Sequence, residues 1–479
     1  MNKIVQNTNH KRVAVLLSFL ANTTSCDTLF DRPPPGTIDN TAPVDLSVLP
    51  NDFMWGAGSS AHQAEGNDTH SDWWAWENSG KTKSGEISGV AADHWNRFDD
   101  DFGLLADLGL DTYRLSLSWA RLFPQPGMTE PDPEALAHYD AVFESLARRG
   151  IRPMVTLHHF VMPQWLTDGN RWETGEAVED FKQLAAMAAA RWGRYVDWWI
   201  TVNEAEVFVL HGWFRAIFPP GKFDIGLAMQ VMANLMKAHA SAYHLIKQLD
   251  TVDADGDGDP ARVGIAQLAV PYEPFSENDV IEAVLANVFE NISNTFWLLA
   301  NETGILDLRI PFGPSVVEEH APFKDSIDFI GVNYYSRQIV RLDIIGFIIA
   351  PPPGAPVSDL DIEIYPDGLY DALEFLSRYK LPMIITENGI ADADDSRRGS
   401  FITAHLRELT RFKRDHPEVS VFGYIHWALT DNFEWENGFA PRFGLYAVDY
   451  ATQKRTMRPS AKTLADLAGQ YRTERRRTP

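Results

Sequence analysis

Two glutamates, each standing where an apolar run stops, are the residues of this chain whose type and placement best suit chemistry. The run 196–202 gives way to Asn203 and Glu204, with Glu206 two residues on, in the stretch TVNEAE. A second run, beginning at Met383, gives way to Thr386, Glu387 and Asn388 in the stretch MIITENG. A buried strand that ends in a carboxylate delivers that group to a site. Two such ends can divide the work of cleaving a glycosidic bond, one glutamate carrying a proton while the other stays ionised.

The elements that must position this pair follow from the rest of the pattern. Eight short apolar runs rich in β-formers occur at 53–60, 112–119, 152–159, 198–204, 263–269, 327–335, 382–389 and 422–429. Helical periodicity fills the intervals, as at 99–108, 133–149, 176–194 and 227–249. Apolar strands alternating with helices imply a parallel sheet covered on both faces, and eight units predict an α/β fold, a single (β/α)8 TIM barrel. An open doubly wound sheet is the alternative, but no GxGxxG follows any run. The barrel places chemistry at the carboxyl ends of its strands, and polar residues gather there. Gln63 and Glu65 follow the first run, Arg114 lies in the second, and His158 and His159 end the third. Asn333, Tyr334 and Tyr335 end the sixth, and Trp427 in the eighth leads on to Glu434 and Trp435.

Composition narrows the class. With 45% apolar and 23% charged residues the chain is globular, and a net charge of −24 argues against a nucleic-acid partner, whose phosphates need a basic surface. The 15 Trp, 14 Tyr and 27 Phe exceed what core packing usually demands, and sugar sites use such rings as platforms, although core packing accounts for most of them. Cys26 is the one cysteine, so no intrachain disulfide and no cysteine-rich metal site can form.

Ahead of the first run, residues 1–26 carry Lys3, Lys11 and Arg12, then VAVLLSFLA, then NTTSC. This has the shape of a signal peptide, and the position of Cys26 suits a lipoprotein signal, with Thr23 where leucine is usual. The expectation is export, to the periplasm or to a lipid anchor at Cys26; a cytoplasmic chain with an uncleaved tail is the alternative. Residues 27–50 read as a disordered linker, 51–470 as the barrel domain, and 471–479 as a basic tail.

The motifs TVNEA, ITENG, TLHHF, DFIGVNYY, the Trp55-Gly56 and Glu65-Gly66 pairs, and DNFEWENGFAPRFGLYAVDY at 431–450 occur in an order that resembles the family 1 glycoside hydrolases, typified by β-glucosidases. The resemblance runs from about Phe53 to Gly469. It implies a retaining exo-β-glycosidase acting on small β-glycosides or oligosaccharides with no cofactor. Glu204 would be the general acid/base and Glu387 the nucleophile, with the carboxyl groups about 5 Å apart. Arg114 and Tyr335 would donate to Glu387 and keep it ionised. Gln63, His159, Asn203, Trp427, Glu434 and Trp435 match the family's sugar-binding positions. An acidic Glu434 favours a neutral sugar over a 6-phosphorylated one. His158 is assigned to packing or orientation.

The chain departs from the family pattern in places. Ala205 replaces the usual proline after Glu204, and Val161-Met162 replaces Asp-Leu. Ile362 stands where a tryptophan platform for the leaving group is common, close to the apolar loop IIGFIIAPPPGAPV at 344–357. Together these predict an apolar wall for hydrophobic aglycones, with ordinary loop packing or a membrane or partner contact as alternatives. Asp253, Asp255, Asp257 and Asp259 alternate as in a calcium loop, but the twelfth position holds Gly264 instead of the bidentate Glu, and a solvated acidic turn explains them equally. Two rival functions stand beside hydrolysis. A sugar-binding pseudoenzyme would have lost a carboxylate, and both are present; a metal-dependent hydrolase would need more clustered ligands than His158 and His159.

Overall fold

The computed structural model describes residues 43–477 apart from 277, 310–312, 344 and 345. Its centre is a closed parallel barrel of β1 (Met54–Gly58), β2 (Thr112–Ser116), β3 (Arg152–His158), β4 (Trp198–Asn203), β5 (Arg262–Leu268), β6 (Phe329–Asn333), β7 (Met383–Asn388) and β8 (Val421–Trp427). Each strand pairs with its neighbours in sequence, and β8 closes on β1 through Met54 opposite Gly423. All eight expected runs are barrel strands. Strand residues are almost wholly buried on both faces, which is why the runs read as continuous rather than alternating.

The barrel is packed, not hollow. Met54, Met154, Trp198, Ile200, Ala266, Phe329, Ile384, Phe422 and Ile425 form a separate apolar cluster, in which Trp198 stacks on Phe422 at 4.5 Å. That plug closes the barrel beneath the site, so access is from the carboxyl ends alone. Outside, helices lay apolar faces on the strands. The helix Pro133–Arg149 shows how local chemistry sets such an element: Asp132 accepts from the amides of Glu134 and Ala135, Pro133 occupies the first turn, and Gly150 ends it at φ 64°. The helices Ala177–Trp192 and Ile225–Leu249 fall where periodicity placed them.

Register irregularities coincide with both glutamates. The β4–β5 pairing shifts between Ile200 and Asn203, and the β6–β7 pairing shifts between Ile385 and Glu387. A local bulge re-aims the side chains that follow it, which lets a strand end turn a carboxylate inward.

Boundaries differ from expectation at two places. Val44, Leu46 and Leu49 are buried and residues Leu46–Val48 form a 3-10 turn, so the linker does not extend to residue 50. The last helix, Pro459–Arg477, runs past Tyr471, whose ring packs on Phe53 and Trp55; the basic segment is helical, not a tail. The arginines of its last turn disguised a helix anchored by one aromatic side. Among the described residues three small sheets lie outside the barrel, of which the largest joins Tyr272–Pro274, Gln338–Asp343 and Gly346–Ile349 beside the site. Cys26 and the rest of the signal-like segment lie outside the described residues, and among the described residues no helix is long and apolar enough to cross a membrane.

Candidate active site

A cavity of about 570 Å³ opens at the carboxyl ends of the strands, lined by Gln63, His159, Asn203, Glu204, Glu387 and Trp427 at its buried end. Tyr335, Glu434 and Trp435 also line it, so nine of the ten residues singled out face one space. Arg114, the tenth, lies under its floor and is 1% exposed.

Glu387 is held at both oxygens. Arg114 Nη1 pairs with Oε1, and the Tyr335 hydroxyl donates to Oε2 at 2.6 Å. Arg114 is itself fixed: Nη1 also donates to the Thr386 carbonyl at 3.1 Å, Nε to Thr156 Oγ1 at 3.3 Å, and Nη2 to Asn203 Oδ1 at 2.6 Å. A guanidinium held by four hydrogen bonds in this way is fixed against its carboxylate.

Glu204 has a contrasting environment. Its Oε1 accepts from Asn333 Nδ2 at 2.8 Å, a neutral donor. Burial, then the negative charges of Glu387 and Glu206, push its carboxyl well above the ordinary range, against smaller opposing effects from Asn333 and Arg114. That environment suits Glu204, of the two, to hold a proton. Its backbone is left-handed, at φ 41°, because the chain leaves β4 here and enters the short helix Ala205–Val209. Ala205 is the first residue of that helix, a position where proline fits without loss of a hydrogen bond; its replacement leaves the turn in place.

The polar groups of the cavity are oriented by the protein. Asn203 Oδ1 is occupied by Arg114 and by Asn333 Nδ2 at 3.1 Å, so its amide NH2 is the group turned toward His159 Nε2, at 3.5 Å. Burial and the Arg114 charge hold His159 well below the usual imidazole range, hence neutral. Its ring stacks on Trp427 at 5.7 Å and on Trp435 at 6.1 Å. Gln63 accepts from Ser60 at 2.7 Å and donates to Glu434 at 3.2 Å. Burial and Glu436 raise the Glu434 carboxyl to about 8. The loop carrying Glu434 and Trp435 is tied down by buried Asp431, which accepts from Arg458 Nη1 and Nη2 at 2.8 and 2.9 Å and from the Gly444 amide at 3.0 Å.

His158 lines no part of the cavity; it packs edge-on against Phe208 and Trp172, and burial lowers it to about 3, so it stays neutral. Asn333 is the site residue whose importance sequence reasoning missed. It bridges Glu204 and Asn203 while accepting from Thr386 at 2.7 Å, and its place at the end of β6 was the available signal. Asp72 was also overlooked: it accepts from the Met162 amide at 3.1 Å and so secures the loop after β3 despite the altered Val161-Met162 pair.

Toward solvent the lining turns apolar. Val207, Leu210 and Phe214 come from one side, Leu268 and Val270 from the end of β5, and Ile349, Leu360 and Ile362 from the other. Ile349 thus carries the loop 344–357 to the cavity, while residues 344 and 345 lie outside the described residues.

The acidic loop is less suited to calcium than its spacing suggested. Asp257 pairs with Arg262 at 2.7 Å and Asp259 with the same guanidinium at 3.4 Å. Asp253 accepts from the amides of Gly256 and Gly258, and the carboxylates that cluster are Asp197, Asp253 and Asp255 rather than the four alternating ones.

A parallel eight-stranded barrel whose mouth holds one cation-paired glutamate and one buried glutamate raised well above the ordinary carboxyl range is the arrangement of an O-glycoside hydrolase. The sequence matches the family model "Glycosyl hydrolase family 1" over residues 46–472, and the chain belongs to that family. It is 32% identical to a β-galactosidase of Pyrococcus woesei over 87% of this chain and 96% of that one. It is 30% identical to β-glucosidase A of Thermotoga maritima over 87% of this chain and 97% of that one. Among solved structures it resembles a β-glycosidase from Pyrococcus horikoshii, with a TM-score of 0.79 and 33% identity, covering 89% of this chain and 95% of that one.

Proposed function

We infer that the chain removes terminal non-reducing β-D-glucosyl residues, and also galactosyl or fucosyl ones, from small β-glycosides or oligosaccharides with retention of configuration. The contrast between the two glutamates carries this reading: Glu387 takes a cation and a phenol, whereas Glu204 takes a neutral amide in a buried setting beside the Glu387 charge.

Glu387 attacks the anomeric carbon as Glu204 gives its proton to the departing oxygen. The glycosidic bond breaks, an ester to Glu387 forms, and the aglycone leaves as an alcohol. Esterification removes the negative charge of Glu387, which with burial holds Glu204 protonated, so the proton affinity of Glu204 falls when it must become a base. Glu204 then takes a proton from water, which opens the ester and restores the β-configured sugar. Arg114 and Tyr335 position Glu387. The Asn203 NH2, its oxygen already occupied, donates to a sugar hydroxyl, and Trp427 covers the apolar ring face. Gln63, His159, Glu434 and Trp435 complete the sugar contacts.

Azide rescue tests the roles. Glu387→Gly abolishes hydrolysis and, with azide, yields the α-glycosyl azide; a β-azide from that variant would reverse the assignment. The relatives' names, β-galactosidase and β-glucosidase, support a sugar site tolerant at the C4 hydroxyl. The apolar outer lining supports aryl or alkyl aglycones. Lys3, Lys11, Arg12 and the apolar run ahead of Cys26 support export with lipid attachment at Cys26. Loss of the enzyme from the membrane fraction in Cys26→Ser checks that assignment.

A further inference from the structure

Where β4 ends, the ladder to β5 is interrupted by the turn that aims Glu204. The Glu204 amide still donates to the Ala266 carbonyl, at 2.7 Å. In a regular parallel ladder the next rung would run from the Leu268 amide to the Glu204 carbonyl. That carbonyl is taken: Phe208 N donates to it at 3.0 Å, as the left-handed residue feeds the helix Ala205–Val209. The Leu268 amide would be left without a backbone partner beside the cavity. Glu206 supplies one, its Oε1 accepting from Leu268 N at 2.8 Å. Leu268 is in turn the register partner of Asn333, which donates to Glu204. Glu206 therefore closes a loop of contacts around the acid/base residue, through a strand end rather than through substrate, and it is not among the residues lining the cavity.

We propose that Glu206 is a positioning residue for Glu204: its carboxyl oxygen stands in for the lost rung of the β4–β5 ladder and holds the left-handed turn that points Glu204 at the leaving oxygen. The inference rests on Glu204 being the acid/base. A non-glycine residue in the left-handed region is strained and persists only when its surroundings enforce it. Here the chain has alanine rather than proline at 205, and the restraint comes from the next side chain. Glu206 also faces Glu204 as a second carboxyl, and its own burial raises it to about 8. The other titratable groups around the pair are Glu387 of β7, Arg114 of β2, Tyr335 after β6, and Tyr272, whose phenol is pushed up by burial and, less, by Glu206.

The test compares Glu206→Ala, which leaves the Leu268 amide without an acceptor, with Glu206→Gln, which keeps one. Each is assayed on aryl β-glucosides spanning good and poor leaving groups, since only poor ones need the proton from Glu204. In Glu206→Ala, kcat/KM falls at least about tenfold on the poorest leaving group and far less on the best, whereas Glu206→Gln regains most of the loss. Both variants lack the second carboxyl, so the alkaline limb of kcat/KM moves to lower pH in each. An equal loss on every substrate, or no rescue by glutamine, overturns the inference. Glu204→Ala is the control: if that variant shows no leaving-group dependence, the acid/base assignment itself is wrong, whatever Glu206 does.

Discussion

Arg114 concentrates four hydrogen bonds in one buried guanidinium, one of them to Glu387. Arg114→Met removes the cation beside the nucleophile, and kcat/KM is expected to fall by about 10² to 10³, with folding checked by circular dichroism. Tyr335→Phe removes the second donor and should cost less, about tenfold, because the ion pair remains. The alkaline limb of kcat/KM is expected to report loss of the Glu204 proton. Glu204 lies well above the ordinary carboxyl range, so activity persists through neutral pH and declines as pH rises through its value. These residues were legible in the sequence because a barrel displays chemistry at strand ends, where Asn203, Glu204, Tyr335 and Glu387 stand. Asn333 and Glu206 were undervalued for a shared reason: each acts through a contact with another strand end, and pairing across strands has no signature in one sequence. Asn333 also resembles any amide that caps a turn.

Among the elements, β7 and its exit show why a motif includes glycine. A Cβ at Gly389 would lie 1.9 Å from the Trp427 carbonyl oxygen, so β7 and β8 could not approach at the mouth. Gly389→Ala should destabilise the fold by about 1–3 kcal/mol, read from chemical denaturation, and should lower activity through misplacement of Trp427. On the outer wall, Ile362 lines the cavity with Leu360 and Ile349. Ile362→Trp is expected to raise kcat/KM for cellobiose relative to an alkyl glucoside, since an indole offers a sugar a stacking face; an unchanged ratio counts against the apolar-aglycone assignment. The barrel strands were readable because burial on both faces leaves an uninterrupted apolar run. The small outer sheets were not, because strands such as Ile305–Arg309, with alternate residues exposed, carry too little apolar signal to stand out from loop.

At the scale of the molecule, the site burdens the fold with carboxyl groups. Glu206 and Glu434 are raised to about 8 and Asp72 to about 7, from an ordinary value of about 4. The folded chain thus binds these protons more tightly than the unfolded chain. Their contribution to stability is full below about pH 4 and is lost as pH rises toward 8. The melting temperature of the free enzyme should fall between pH 5 and pH 9, and Glu434→Gln should flatten that decline. Chelation should leave kcat/KM unchanged, as no step involves a metal. The domain limits escaped the sequence because polar composition masks amphipathic order. Proline and aspartate near residue 43 suggested linker, and the arginines near 476 suggested a tail, yet Leu46 and Tyr471 are buried anchors. Those anchors bring the two ends together: the Phe53 amide donates to the Tyr471 hydroxyl at 3.1 Å, and Arg475 reaches the Ser47 carbonyl at 3.0 Å. Both contacts lie at the amino end of β1, the pole opposite the cavity. A support attached directly at residue 43 would therefore meet the enzyme at the pole opposite the cavity and leave the mouth clear for arriving glycosides.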